Sequence, residues 1–125
     1  MARAPGFAPA LNYLGYLWIE RRENLEQAVT MVREAVRLDP DNGAYVDSLG
    51  WGLFQSGRFE DAVRALERAA RLLPRDATVL EHLGDARAAQ GDLAGAREAY
   101  ARALAAGPES AEELERKSER LGGDS

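Results

Sequence analysis

The sequence contains no cysteine and a single histidine, His82, among its 125 residues. Without cysteine, the chain has no disulfide framework, no thiolate metal site and no cysteine nucleophile. One histidine is too few for a multi-histidine zinc site, and a general base would have to be His82 or a carboxylate. These absences exclude several classes of enzyme and metalloprotein.

Positive charge is also in the minority. Lys and Arg together number 16 against 21 Asp and Glu, which gives a formal net charge of −5. Proteins that coat DNA or RNA normally bind through a basic face, so we expect no nucleic acid among the partners. β-Branched residues are few, whereas alanine and leucine supply most of the apolar residues, and this composition favours helices over strands.

Long hydrophobic runs are missing as well. No stretch approaches the ~20 apolar residues of a membrane span, so we expect no direct membrane insertion. Residues 1–9 contain Pro5 and Pro9 and lack the apolar core of a signal peptide. The sequence as written predicts a cytoplasmic location, or a periplasmic or outer-membrane-attached one if the chain is cut from a longer envelope protein.

The most informative feature that is present is an internal repeat. Leu-Gly pairs occur at 14–15, 49–50 and 83–84, and the first copy has one extra residue near 22–24, where the turn glycine of the other copies is missing. The pairs are therefore 35 and 34 residues apart. A fixed period of this length is typical of solenoids built from stacked supersecondary units. Further columns with the same interval are Ala28, Ala62 and Ala96; Ala35, Ala69 and Ala103; and Pro40, Pro74 and Pro108.

Within each copy, apolar residues at i, i+3, i+4 and i+7 predict two helices separated by a short turn. Gly57 and Gly91 lie at the turns of the second and third copies, and the prolines end the second helices. A strongly charged final helix with a thin apolar stripe is expected to cap the array. The predicted helices cover residues 9–22, 25–38, 43–56, 59–73, 77–90, 93–106 and 109–121.

These columns resemble the tetratricopeptide repeat (TPR) family, whose pattern places Leu-Gly, an aromatic residue, two alanines and a proline within a repeat of about 34 residues. The resemblance implies an all-α, right-handed superhelical solenoid of three helix-turn-helix hairpins plus a C-terminal capping helix. Arg87 departs from the pattern, because the family prefers tyrosine there. The second copy shows the pattern as Val46, Leu49, Gly50, Leu53, Ala62, Leu66, Ala69 and Pro74.

The resemblance also implies a division of the chain. Pro5 lies where the closing proline of a preceding repeat would fall, so we expect a chain cut from, or decayed from, a longer array. The first helix would then expose an apolar edge, through which a homodimer would form. The expected units are a remnant or N-terminal arm at 1–8, TPR 1 at 9–42, TPR 2 at 43–76, TPR 3 at 77–110, the capping helix at 111–121 and a flexible tail at 122–125.

TPR arrays bind extended peptides or helices in a concave groove lined by the first helix of each repeat. The resemblance therefore implies a non-catalytic protein-interaction module, a scaffold or adaptor, that needs no cofactor. The segments around the three Leu-Gly pairs are also similar to a bacterial subgroup that includes adaptor lipoproteins of the cell envelope. Carried onto this sequence, the groove residues are Asn12, Tyr16, Ile19, Asp47, Trp51, Phe54, Gln55, Thr78, Glu81, His82, Asp85 and Ala89.

The predicted groove is aromatic in the middle and acidic toward the third repeat. Tyr16 and Trp51 offer flat surfaces of the kind found at binding hot spots. Asp47, Glu81 and Asp85 would favour a protein or peptide with basic and apolar side chains. Under the alternative interpretation, the aromatic side chains pack between helices and the carboxylates are ordinary solvated residues.

Two other functions compete with groove binding. Repeats that stack end to end would make the chain a self-assembling structural module with an unused groove. More distantly, His82 beside Glu81 and Asp85 could serve a hydrolase or bind a metal. On the second helices, Glu60, Glu67 and Glu98 each precede an arginine by three or four residues, which predicts ion pairs on the outer surface.

Overall fold

The computed structural model describes residues 7–107 and 111–122, and in this part of the chain all regular structure is helical. No helix of these residues is long and apolar enough to cross a membrane. The predicted all-α class is confirmed. The helices are α1 (Phe7–Arg21), α2 (Leu25–Leu38), α3 (Gly43–Gln55), α4 (Phe59–Leu72), α5 (Ala77–Ala89), α6 (Leu93–Ala105) and α7 (Ala111–Gly122).

The first six helices form three hairpins that stack into a solenoid. Each second helix also packs on the first helix of the next hairpin, as α2 does on α3 and α4 on α5, and α6 packs on α7 in the same way. The first helices α1, α3 and α5 contact one another, whereas within residues 7–107 consecutive second helices touch at most marginally. The first helices therefore line the inner, concave side.

The regular spacing of small residues is explained by the closest approaches between paired helices. A Cβ added at Gly15 would lie 2.6 Å from Val32 Cγ2, one at Gly50 would lie 2.5 Å from Leu66 Cγ, and one at Gly84 would meet the ring of Tyr100. Anything larger than glycine would force the helices apart. The two alanine columns are equally closed, since all six side chains are 0% exposed: Ala28, Ala62, Ala96, Ala35, Ala69 and Ala103.

The turn of the first hairpin differs from those of the second and third, as its missing glycine indicates. Gly57 and Gly91 adopt φ angles of 81° and 87°, which glycine tolerates without strain. The first turn has no glycine and instead places Arg22 at φ 56° and Asn24 at φ 49°. The extra residue of the first copy is thus accommodated by two side-chain-bearing residues in the left-handed region.

Three helices begin at a side-chain cap. Asn42 accepts a hydrogen bond from the backbone N–H of Tyr45 at 3.2 Å, and Asp76 accepts one from that of Val79 at 3.1 Å. Asp92 caps α6 in the same way. Such caps satisfy backbone donors that lack partners within the helix, and so fix the starts of α3, α5 and α6.

The first helix begins at Phe7, two residues before the predicted start. Ala8 is 1% exposed and packs against Ala35 and Tyr45, so tertiary contacts extend the helix in front of Pro9. Proline is tolerated in a first helical turn, because the N–H groups there have no partner within the helix. The expectations that concern Pro5, Pro108, the start of the last helix at residue 109 and the rest of the tail beyond residue 122 fall outside the described residues. The assignment of Gly122 to the tail is wrong, because α7 extends to Gly122.

Arg87, which departs from the repeat pattern, closes the last hairpin with polar contacts. Its guanidinium donates to the carbonyl of Gly95 at 3.1 Å, to Glu98 at 3.0 Å and to Glu67 at 3.3 Å. The side chain is 16% exposed. Arg87 thereby connects α5 with both α4 and α6, and its stem covers the surface where a tyrosine would otherwise pack.

Candidate functional site

The centre of the inner surface is a continuous cluster contributed by α3 and α5. His82 Nδ1 donates to Asp47 Oδ1 at 2.9 Å, and the His82 ring stacks on Trp51 with ring centroids 3.9 Å apart. Trp51 in turn stacks on Phe54, at 4.9 Å between centroids. We call these four residues the aromatic cluster. The structure thus brings together four of the residues that the sequence placed in the groove.

Burial divides the aromatic cluster into a support and an exposed part. Asp47 and His82 are 9% and 8% exposed, so the histidine and its carboxylate partner lie mainly beneath the surface. Trp51 and Phe54 are half-buried. Asp47 is therefore not the free steering charge expected from the sequence, because its carboxylate is occupied by His82. Its hydrogen bond instead holds the imidazole flat against the indole.

The acidic residues toward the third repeat are also already paired. Lys117 of α7 contacts Glu81 at 2.6 Å and Asp85 at 3.1 Å, and the Tyr100 hydroxyl donates to Asp85 as well. Glu81 and Asp85 share one ammonium group, which leaves an excess of negative charge. The expectation of solvated carboxylates needs correction here, since both side chains are largely buried.

The pKa values of the groups around Asp85 reflect this pairing. Burial lowers the pKa of Lys117, but the hydrogen bond to Glu81 and the charge of Asp85 outweigh it, so the net shift is upward. Burial raises the pKa of Tyr100, and the hydrogen bond to Asp85 adds to the increase. Lys117 is the one lysine of the sequence and was not among the predicted site residues. The feature of the sequence that could have indicated its role is its position in the final helix, which was expected to cap the array and face solvent.

On α1, Tyr16 and Asn12 are half-buried beside α3. Burial raises the pKa of Tyr16, with Glu20 and Asp47 contributing further. Within the described residues, Asn12 Oδ1 and Trp51 Nε1 are buried without a hydrogen-bond partner. These atoms are an acceptor and a donor on neighbouring first helices, so this part of the inner surface holds unused hydrogen-bonding capacity.

Four of the predicted groove residues lie outside this centre. Ile19 is 0% exposed, because it fills the space that Gly52 leaves on α3: a Cβ at Gly52 would lie 2.8 Å from Ile19 Cδ1. Ile19 is therefore part of the core, and its assignment to an open groove is wrong. Thr78 and Ala89 are exposed near the two ends of α5, and Gln55 is half-buried at the end of α3.

Within the described residues, His82 is not combined with Glu81 and Asp85 in one site. Among residues 7–107 and 111–122, no group of three or more His, Asp or Glu side chains is arranged to hold a metal ion. The Nδ1 atom of His82 is occupied by Asp47 and one face of its ring by Trp51. Within the described residues, neither Glu81 nor Asp85 forms a hydrogen bond with His82. Both carboxylates bind Lys117 instead.

The outer side carries a cleft of about 800 Å³ between α2 and α4, with Leu49 and Leu53 at its base. Around it, Arg64 pairs with Glu60 at 3.3 Å, as the sequence predicts. The pairs expected for Glu67 and Glu98 are wrong, because both bind Arg87 instead of the following arginine of their own helix. Three arginines and two carboxylates line the cleft: Arg33, Arg58, Arg64, Glu26 and Asp61.

Comparison with known sequences identifies relatives. The tetratricopeptide repeat family model matches residues 48–111, just over half of the chain. A TPR repeat-containing protein of Pseudomonas aeruginosa is 38% identical over 61 residues, which are 49% of this chain and 10% of that protein. The chain thus spans about a tenth of the length of this relative.

Solved structures share the fold over nearly the whole chain. The first TPR of Spaghetti (RPAP3), bound to the HSP90 peptide SRMEEVD, is 19% identical with a TM-score of 0.87, covering 97% of this chain and 94% of that one. The Yersinia enterocolitica type III secretion translocator chaperone SycD is 14% identical, with a TM-score of 0.87 and coverages of 98% and 88%. The Sgt2 TPR domain of Aspergillus fumigatus is 25% identical, with a TM-score of 0.86 and coverages of 98% and 81%.

Proposed function

Since the chain belongs to the tetratricopeptide repeat family, we propose that it is a protein-interaction module that holds a segment of a partner protein along the inner face of α1, α3 and α5. Members of this fold class are typically non-catalytic scaffolds. A neighbour in fold binds a peptide, the HSP90 segment SRMEEVD. The observation that carries the proposal is Trp51, a half-buried indole at the centre of the inner face, supported from below by His82.

The aromatic cluster has the properties of a binding anchor. The stack of Trp51 on His82, with the imidazole held by Asp47, fixes the indole before any ligand arrives. A rigid aromatic surface loses little side-chain entropy on binding, which is why tryptophan is frequent among binding hot spots. An apolar side chain of the ligand would pack against the parts of Trp51 and Phe54 that remain accessible.

The charges of the inner face favour a ligand with basic side chains. Glu81 and Asp85 together carry two negative charges against one positive charge on Lys117, and Glu20 is exposed at the end of α1. In this surrounding, an acidic segment such as SRMEEVD would meet repulsion, whereas lysine or arginine would be attracted. The proposed ligand is therefore an extended or helical segment with apolar and basic residues.

The proposal is tested by selection from a displayed library of random peptides on the purified chain, followed by fluorescence titration with the enriched peptides. We expect enrichment of lysine or arginine together with apolar residues, and no measurable binding of the peptide SRMEEVD. Trp51→Ala should weaken binding by about tenfold or more, the loss typical of a hot-spot residue.

A matched control is available on α1. Trp18→Leu replaces the other tryptophan of the chain with the residue found at the same repeat position, Leu53, and should leave peptide affinity within about twofold. Circular dichroism of both variants checks that the helices remain folded. Equal losses for Trp18→Leu and Trp51→Ala, or enrichment of acidic peptides, would refute groove binding as described.

A further inference from the structure

The outer side of the array has a further cleft, between α4 and α6, with a volume of about 520 Å³. It lies one repeat after the cleft between α2 and α4, because Leu83 and Arg87 line it in the columns of Leu49 and Leu53. Ligand pockets commonly have volumes of ~300–1,000 Å³. We call it the α4–α6 cleft. Its lining includes Glu67, Arg71 and Pro74 from α4 and the turn after it, Leu83 and Arg87 from α5, and Arg102 from α6.

The α4–α6 cleft concentrates positive charge in a chain whose net charge is −5. Three guanidinium groups and one carboxylate line it, which is an excess of two positive charges. The cleft between α2 and α4 has an excess of one, and there Arg58 and Arg64 form ion pairs with carboxylates of α4. By contrast, Arg71 and Arg102 are exposed, and within the described residues their guanidinium groups form no ion pair or hydrogen bond.

Arg87 supplies the third guanidinium group in a fixed position. Its side chain is 16% exposed, and Nη1 donates to Gly95 and Glu98 while Nη2 donates to Glu67. An arginine has five N–H donors, so two of them remain unused within the described residues. Leu53 occupies the same position in the second repeat. The arginine that departs from the TPR pattern therefore also distinguishes this cleft from its neighbour.

The charge and the donors of the α4–α6 cleft match a phosphate group. Arginine binds phosphate through charge-assisted hydrogen bonds that are frequently bidentate, and arginine clusters recognise phosphorylated side chains in this way. A phosphorylated side chain carries nearly two negative charges at neutral pH, which equals the excess of positive charge that lines the cleft. A single carboxylate would leave one of these positive charges unmatched.

A phosphorylated protein segment fits the cleft better than a nucleic acid does. Nucleic acid presents one charge per ~1.7 Å of duplex, and its backbone would pass over the carboxylates of Glu67 and Glu98 on a chain of net charge −5. Pro74 is exposed beside the arginines, so an apolar residue next to the phosphorylated one has a surface on which to pack.

We propose that the α4–α6 cleft binds a phosphorylated segment of a partner protein, whose phosphate group is held by Arg71, Arg87 and Arg102. The cleft lies on the outer side of the array, so this proposal does not depend on binding along the inner face. The chain then holds two protein segments on opposite sides, a basic and apolar one inside and a phosphorylated one outside. Phosphorylation of the second partner switches that half of the assembly on.

Fluorescence anisotropy with a labelled peptide tests the proposal. The probe contains one phosphoserine flanked by leucine within a run of glycine, and the comparison peptide has serine instead. We expect saturable binding of the phosphorylated probe with a dissociation constant below about 1 mM, and binding of the comparison peptide at least about tenfold weaker. Arg71→Ala and Arg102→Ala should each weaken binding of the phosphorylated probe by about tenfold or more, since each removes hydrogen bonds between charged groups.

Arg97→Ala is the matched control, because Arg97 is an exposed arginine of α6 that does not line the α4–α6 cleft. It should change the affinity by less than about twofold. Arg87→Leu introduces the residue of the second repeat and should also weaken binding. Because Arg87 is largely buried, circular dichroism checks that this variant remains folded. If it unfolds, the exposed positions Arg71 and Arg102 decide the outcome.

Equal binding of the two peptides, no binding of the phosphorylated probe, or binding that neither Arg71→Ala nor Arg102→Ala weakens overturns the proposal. Inorganic phosphate should displace the probe only at concentrations well above the dissociation constant of the probe. Equal affinities would assign the cleft to the free ion, and tighter binding of an oligothymidylate would assign it to nucleic acid. Either result overturns the assignment to a protein segment.

The outer cleft and the inner face can be tested separately. Trp51→Ala should keep the affinity of the phosphorylated probe, and Arg102→Ala should keep the affinity of the peptides selected from the library. Failure of one experiment therefore leaves the other proposal intact. Loss of probe binding in Trp51→Ala would place the phosphorylated probe on the inner face and overturn its assignment to the α4–α6 cleft.

Discussion

At the scale of single residues, the distance between paired helices depends on the glycine of each Leu-Gly pair. In the second hairpin, a Cβ at Gly50 would lie 2.5 Å from Leu66 Cγ and 2.7 Å from Leu66 Cδ2. Leu66 is itself 0% exposed and has no free space to move into. A methyl group at residue 50 must therefore displace either the leucine or the whole of α4.

We expect Gly50→Ala to lower the free energy of unfolding by about 1–3 kcal/mol, the usual cost of overpacking a core. Without the steric conflict, the same change would stabilise the helix by about 1 kcal/mol, because alanine is the better helix former. Urea denaturation of wild type and variant measures the difference. Combining Gly50→Ala with Leu66→Ala should cost less than the sum of the two single changes. A stabilised Gly50→Ala variant would contradict the close approach.

The first turn contains a residue that is poorly suited to its backbone conformation. Arg22 has a φ angle of 56°, a region that disfavours side chains by about 1–2 kcal/mol, whereas asparagine at Asn24 tolerates it better. We expect Arg22→Gly to raise the free energy of unfolding by about 0.5–1 kcal/mol. Arg21→Gly, at the last residue of α1, should instead lower it, by less than the ~1 kcal/mol that glycine costs in a helix interior. Thermal denaturation of the two variants measures both changes in stability. A destabilised Arg22→Gly variant would count against strain in this turn.

At the scale of the helix, α7 occupies the position that the first helix of a fourth repeat would have. Its exposed side is charged, as expected of a capping helix. Leu114 is 0% exposed and lies one repeat length after Leu80, so this buried position continues the repeat pattern into α7. Lys117 and Ser118 stand one repeat length after Leu83 and Gly84, in place of a further Leu-Gly pair. The lysine turns inward to Glu81 and Asp85 and attaches α7 to α5 by charge.

The contribution of Lys117 to stability should disappear at alkaline pH. Its pKa in the folded chain is raised above the ordinary value of 10.5, so its ion pairs stabilise the fold fully below that pH. This stabilisation is lost as the pH rises through the folded pKa. At pH 7, Lys117→Met should lower the free energy of unfolding by about 1–2 kcal/mol.

The difference between wild type and Lys117→Met should stay constant from pH 7 to about 10 and shrink above 10.5. Chemical denaturation of wild type and Lys117→Met at a series of pH values measures this difference in the free energy of unfolding. Burial and the hydrogen bond to Asp85 raise the pKa of Tyr100, and neither cause requires Lys117, so the effect of Tyr100 should largely cancel in the comparison. Arg116→Met, on the exposed side of the same helix, is the control and should change stability by less than about 0.5 kcal/mol. A difference that persists unchanged at pH 11.5 would argue against the ion pairs.

The comparison of helices shows which features a sequence pattern can reveal. The glycine and alanine columns were predictable, because a close approach between helices restricts the residue type at that position alone. The burial of Ile19 was not, since it depends on the missing side chain of Gly52 on another helix. Lys117 was missed for a similar reason: its partners lie 32 and 36 residues away, on a helix that the repeat pattern treats as a groove wall.

At the scale of the whole molecule, the fold is a one-dimensional array in which each hairpin contacts only its neighbours. The helices α3, α4 and α5 are covered on both sides along the array, and most of the largest fully buried side chains belong to them. The terminal helices α1 and α7 have a neighbour on one side only within the described residues. Local stability should therefore fall from the middle hairpin toward both ends.

Amide hydrogen exchange followed by mass spectrometry should display this gradient. We expect the slowest exchange in α3, α4 and α5, and exchange faster by about tenfold or more in α1 and α7 at low micromolar concentration, because terminal helices open without disrupting the rest. Uniform exchange along the chain would mean that the array opens as one cooperative unit instead of fraying from its ends.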